Sequence, residues 1–251
     1  MTRLIVAPLA ALAALSLAAA ASAQPPAAAS STAHLDQTRR LVEITHPFEQ
    51  LLQANIAGWE AAIKQSMSLD PSFKELEEEY PGIGNAGVDA ARPMARDYCA
   101  QFVKRAMERK AQIFAARLSP SEVTEATRFF ETPTGRKLVR QMFANIDVTD
   151  MAQDLATQAV RTGNTALSAE AVTAAERTAA EKTVGQISDD DKSMIMRFAG
   201  SPAGQKFAEV RAESEREILA MANDPDKAWI AKQQEAIVGA MKAFAARARA
   251  R

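Results

Sequence analysis

The stretch RFFETPTGRKL, Arg128 to Leu138, returns as RFAGSPAGQKF, Arg197 to Phe207, at a constant offset of 69 residues. Arg128, Phe129, Pro133, Gly135 and Lys137 recur as Arg197, Phe198, Pro202, Gly204 and Lys206. The chain must therefore build the same local device twice. A phosphate-binding P-loop is excluded: no glycine stands upstream at the required spacing, Gly and Lys are separated by Arg136 or Gln205, and no strand precedes. A helix N-terminus remains, and it can attract an anion with Lys137 or Lys206 one turn in. A sharp joint between helices accounts for more of the matched positions. Thr132 and Ser201 are N-cap residues. Pro133 and Pro202 fit the first helical position, where the N–H would be unpaired anyway. Gly135 and Gly204 cost about 1 kcal/mol of helix propensity each, which asks for a compensating close approach, here expected from a crossing helix. Phe129 and Phe198 stand ready to wedge into the corner.

Each copy is preceded by a capped helix. Ser119, Pro120 and Glu122 make a capping box, and Ser188 with Asp191 repeats it. Elsewhere β-branched residues never alternate, Ser/Thr/Asp-Pro starts are frequent, and apolar residues recur at three- and four-residue steps. The expected fold is all-α, a helical bundle or array with two related three-helix units at about 99–153 and 168–222 and loop-free Ser/Thr-Pro-x-Gly joints. Helices are expected over about 36–45, from Pro47 to about Met67, from Pro71 to a stop at Pro81-Gly82, over 89–118 with a kink at Pro93, over 133–162 with a break near Asp147 to Thr149, and over 169–186 and 202–222. Gly163 is a candidate C-cap, residues 81–87 read as a turn, and a final amphipathic helix fills 225–251 after Asn223-Asp224-Pro225.

The segment LSPSEVTEATRFFETPTGRKL resembles the core motif of a family of exported bacterial proteins, domain of unknown function 2059: a capped helix after Leu-[Ser/Thr], then Phe-[Phe/Tyr], then Ser/Thr-Pro-x-Gly-x-Lys. The second copy departs from it at Ala199 and Gly200. The resemblance extends over about half of the mature chain. It implies a helical periplasmic protein and brings no activity, cofactor or catalytic residue with it.

The N-terminus reads as an export signal. Arg3 is followed by an apolar run, Leu4 to Ala20, and Ala21-Ser22-Ala23 forms a small-residue cleavage site. Residues 1–23 are thus expected to be removed after Ala23, leaving a Pro/Ala/Ser leader over 24–34 and a helical domain over 35–251 in the periplasm or medium. The lone Cys99 excludes an internal disulfide and reads as a small buried hydrophobe. With 30 Lys+Arg against 31 Asp+Glu, spread along the chain, there is no electrostatic footprint for nucleic acid.

No catalytic, cofactor or metal constellation is expected. Glu43-x-x-His46 has the spacing of one di-iron ligand pair, but only two histidines are present. The same scarcity leaves a serine hydrolase only His46 as base. The leading reading is a non-enzymatic module that binds a protein or an apolar ligand. A second is membrane or partner contact through the final helix, whose apolar face carries Trp229, Ile230, Ile237, Met241 and Phe244 and whose basic end carries Arg247 and Arg249, against the plainer reading that this helix docks on the bundle with its cations at the negative end of the helix dipole. A third is a hydrolase with paired carboxylates. The partner and the oligomeric state are not encoded in any motif.

Overall fold

The structure, a computed structural model, describes residues 31–147, 151–153, 155–158 and 166–250. The expected signal peptide, its cleavage site, residues 24–30 of the leader, and Gly163 lie outside these residues. The fold is an all-helical array. Its elements are α1 (Thr32–Thr45), α2 (Phe48–Leu69), α3 (Pro71–Glu79), α4 (Ile83–Arg117), α5 (Pro120–Phe130), α6 (Pro133–Asn145), α7 (Ala169–Gln186), α8 (Asp189–Gly200), α9 (Pro202–Ala222) and α10 (Lys227–Arg249), with further helical residues at 151–153 and 155–158.

Helix α4 is the spine. Its 35 residues span roughly 50 Å at 1.5 Å per residue. α1, α2, α9 and α10 all pack along it. Around its N-terminal half, Trp59, Ile63, Phe73, Ile83, Ile237 and Met241 form one core. Around its C-terminal half, Leu41, Phe114, Val123, Phe129, Phe207 and Val210 form another. Phe102, Val103 and Ile218 belong to a third core on the same helix. Cys99 is buried against Leu52 and Ile56, and burial pushes its thiol up to about 12, so it behaves as an inert hydrophobe.

The repeat is three-dimensional. The C-terminal half of α4 with α5 and α6 makes one unit, and α7, α8 and α9 make the other. They pack reciprocally: α4 on α9 and α6 on α7, then α5 on α9 and α6 on α8. At the centre, Phe129 and its counterpart Phe198 stack face to face, with centroids 4.2 Å apart and planes within 6°. Phe130 and Phe207 close around that pair. The expected wedges are thus each other's partner, an arrangement worth about 1 kcal/mol beyond burial.

Both joints are short, two residues before Pro133 and one before Pro202. Thr132 Oγ1 accepts from Gly135 N at 3.0 Å, and Ser201 Oγ accepts from Gly204 N at 3.1 Å. The reason for the glycines differs from the expectation. The atoms nearest each glycine belong to the helix that precedes it, not to a crossing one. A Cβ at Gly135 would strike the carbonyl of Phe129, and one at Gly204 the carbonyl of Phe198, each at the end of the preceding helix. The glycine is what lets a helix start within two residues of the previous one ending.

Several expected boundaries shift. α1 begins at Thr32, inside the segment assigned to the leader, because Ser31 Oγ accepts from His34 N and the His34 ring bonds the Leu118 carbonyl at 2.9 Å. The turn at 81–87 shrinks to Tyr80–Gly82, with Gly82 at φ 91°, and α4 starts at Ile83. Gly84 and Gly87 lie inside α4, and each must be glycine because a Cβ there would press Phe73 at 2.7 Å or Ile237 at 3.0 Å. Close packing therefore outweighs their weak helix propensity. As expected, α4 runs through Pro93, and α6 ends at Asn145, beside the break expected near Asp147 to Thr149, of which residues 148–149 lie outside the described residues. α10 is capped by Asp226 rather than by the Asn223 step. Asn223 instead clamps the backbone of Leu167, accepting from its N at 2.8 Å and donating to its O at 3.0 Å.

Candidate functional site

Two features stand along the C-terminal half of α4, where the end of α1 meets it. The first is a buried charged cluster. α1 ends at Thr45, which places His46 under α4 beside Lys110. Lys110 occupies an inward position one turn beyond Ala106, and only 3% of it is exposed. Its ammonium donates to His46 Nε2 at 2.8 Å. His46 Nδ1 lies 2.8 Å from Thr45 Oγ1, whose hydroxyl donates to the Leu41 carbonyl at 2.8 Å. This chain has one consistent direction, with a neutral ring protonated at Nδ1. Burial, then the charges of Lys110 and Arg211, holds the His46 pKa well below its ordinary value.

From α9, Glu215 stands 3.7 Å from Lys110 and accepts from Arg211 Nε at 2.9 Å. α7 contributes Glu176, 1% exposed, with neither carboxylate oxygen hydrogen-bonded. Burial, reinforced by the carboxylate of Glu215, pushes Glu176 up to about 9, while burial brings Lys110 down to about 8. A cavity of about 10 Å³ between His46, Leu51, Ala106, Met107, Lys110 and Ile218 admits about one water. An amine with a lowered pKa is a nucleophile in chemical principle, but a carbonyl substrate cannot reach Lys110 Nζ through so small a space. The cluster is suited to holding protons and fixing register.

It also breaks the internal symmetry. Lys110, Arg211 and Glu215 have as counterparts in the other unit Ala179, Met142 and Ile146. Buried ions of this kind specify one pairing of otherwise similar surfaces.

The second feature is an open groove of about 650 Å³ between α1, α2 and α4. Val42, Pro47, Phe48 and Met107 give it an apolar lining, and Arg39, Glu43, Glu49, Lys104 and Glu108 supply charges of both signs. Lys104 sits 5.9 Å over the Phe48 ring. Met107 lines both the groove and the small cavity beside Lys110.

The residues singled out in the sequence fall elsewhere. Ser119 and Glu122 form the capping box, with Ser119 N donating to Glu122 Oε2 at 2.7 Å. In the second copy Asp191 N donates to Ser188 Oγ at 3.2 Å. The shorter Asp191 carboxylate accepts from Thr134 at 2.6 Å and from Lys137 at 2.8 Å, so that it ties the two units together. Those bonds, Lys137 first, hold it well below the usual carboxylate range. Lys206 is engaged by Glu209. Both lysines expected to assist an anion are therefore committed to carboxylates.

The final helix lies against the array. Ile237 and Met241 are buried, Trp229 stacks on Tyr98 at 3.9 Å, and Ile230 and Phe244 are partly buried in the same core. Arg249 bonds Tyr80, while Arg247 is exposed. The apolar face offered for membrane or partner contact thus packs along α4, in the core that Trp59 and Ile63 of α2 and Phe73 of α3 share. Among the described residues no helix is long and apolar enough to cross a membrane. Nor do any of them form a group of three or more metal-ligating side chains.

Lys110, Arg211, Glu176 and Glu215 were missed in the sequence. The available signal was position: Lys110 and Glu176 fall on apolar stripes, between Ala106 and Ile113 and between Val172 and Ala179.

An all-helical array built on twin Pro-Gly joints, with a groove beside the C-terminal half of its spine, is the class of protein these observations define. Residues 104–162, which contain the first joint, match the family model described as an uncharacterized protein conserved in bacteria (DUF2059), the family whose motif this segment resembles. No curated protein and no solved structure matches the chain.

Proposed function

We propose that the protein is an exported, non-enzymatic binding protein whose groove between α1, α2 and α4 takes an apolar ligand. The observation that carries this reading is the groove itself. Its volume of about 650 Å³ falls in the range of ligand sites, and its lining pairs an apolar floor with a few charges able to orient a polar end. Export rests on the N-terminal pattern of Arg3, an apolar run and Ala21-Ser22-Ala23.

Native mass spectrometry of residues 24–251 from a periplasmic extract tests it, alongside titration with the apolar dye 1-anilinonaphthalene-8-sulfonate. A persistent added mass, or saturable dye binding, that Phe48→Asp abolishes without changing the circular dichroism supports the reading. A bare chain that leaves the dye unbound sinks it.

A further inference from the structure

The offset of 69 residues pairs α7 with the C-terminal half of α4, α8 with α5, and α9 with α6. In the first unit the outer groove between α4 and α5 is filled by α1, which packs on both. Leu41 and Val42 join the core of Ala111, Phe114, Val123 and Ala126 there. Two arginines of α1 pin the walls, Arg39 to Glu108 at 2.7 Å and Arg40 to Glu131 at 2.5 Å. In the second unit α7 packs on α6, and α8 packs on α6 and α9. No described helix fills the groove equivalent to that of α1.

Apolar side chains on that groove's walls are left uncovered. Val184, the counterpart of Ala115, is 54% exposed, whereas Ala115 is 6% exposed. Met196 is 73% exposed, and its counterpart Thr127 lines the α1–α5 cleft with Gln37 and Arg40. Ile195 is half-buried where Ala126 is fully buried, and Ala199 is exposed where Phe130 is buried. Val184 and Met196 are two of the three large apolar side chains exposed among the described residues. Both stand at positions that a helix covers, or borders, in the other unit. α8 is also the one described helix with no fully buried residue.

We propose that the groove between α7 and α8 docks an amphipathic helix of a partner protein, seated as α1 is on α4 and α5, and that this helix is acidic along its flanks. The charges select the occupant. Glu108 and Glu131, which receive the arginines of α1, have as counterparts Arg177 and Gly200, and Val123 has Lys192, which pairs with Asp189 of its own helix at 3.1 Å. Arg128 keeps its sign as Arg197, and Glu181, in the place of Gln112, is the acid on the α7 wall. A second copy of this chain would bring Arg39 against Arg177. A helix with Glu at the positions of Arg39 and Arg40 meets opposite charge instead, which favours the right partner and suppresses the wrong one.

The test uses the full mature chain and two fluorescent peptides of residues 31–46, one of native sequence and one carrying Arg39→Glu and Arg40→Glu. The charge-reversed peptide is expected to bind about ten-fold more tightly at low salt, with affinity falling as salt rises. Val184→Asp and Met196→Asp are expected to lower that affinity about ten-fold without changing the thermal melt, because both side chains are exposed. Arg177→Glu is expected to reverse the peptide preference. The proposal is overturned if neither peptide binds, or if binding ignores Met196→Asp. Preference for the native peptide, with dimerisation in sedimentation, overturns it in favour of a second copy. Dye binding at the α1–α2–α4 groove is a separate readout, so either proposal can fail alone.

Discussion

At Gly204 an added Cβ would overlap the carbonyl oxygen of Phe198, whereas at Gly185 and Gly239 it would meet nothing within 4 Å. The same substitution therefore has opposite signs. Gly204→Ala and Gly135→Ala are expected to destabilise by at least about 2 kcal/mol, because backbone rather than a mobile side chain must give way. Gly185→Ala and Gly239→Ala gain helix propensity of up to about 1 kcal/mol. Urea denaturation of the four variants checks this, and a stabilised Gly204→Ala would refute the steric account of the joint. The need for both glycines was legible from their repetition. Their reason was not, because a clash with the chain's own preceding carbonyl depends on a joint only one or two residues long. The charged cluster was hidden for a related cause: Lys110 and Glu176 interrupt apolar stripes, and a lone charge in a stripe reads as the edge of a solvated face.

At the scale of the element, punctuation decided what could be read. α7 and α9 run over the expected 169–186 and 202–222, each opened by a serine cap and the latter fixed further by a proline. The start of α4 was obscured because three glycines within six residues look like a turn, whereas two of them are helical and are glycine because Phe73 and α10 approach too closely for a Cβ. α10 was read as amphipathic, but which surface it covers is a tertiary fact. Its docking predicts that Ile237→Ala costs about 2–4 kcal/mol, the usual cost of emptying a full core site. Arg247→Ala, exposed at the helix end, should stay within about 0.5 kcal/mol. If Ile237→Ala leaves the melt unchanged but reduces vesicle binding, the helix serves a membrane and not the core.

For the whole molecule, the cluster of His46, Lys110, Arg211, Glu215 and Glu176 ties packing of α1, α4, α7 and α9 to proton binding. Burial raises Glu176 to about 9, so between its ordinary value and 9 the folded chain keeps a proton that the unfolded chain releases. That contribution to stability is complete at low pH and is lost as pH rises. His46 acts in the opposite sense below 6.5: the unfolded ring gains a proton that the buried ring refuses, so stability is lost as pH falls. Lys110, lowered to about 8, restores stability as pH rises from there toward 10.5. Within this cluster only Glu176 acts between 6.5 and 8, and that span at about 1.4 kcal/mol per pH unit amounts to about 2 kcal/mol. The melting temperature is thus expected to fall by roughly 4–8 °C from pH 6.5 to pH 8. Glu176→Gln, which copies the shape of the protonated acid, should remove most of that fall while keeping the fold at pH 6.5. An equal fall in both forms, followed by differential scanning calorimetry, would place the proton linkage elsewhere and leave the cluster with pairing specificity alone.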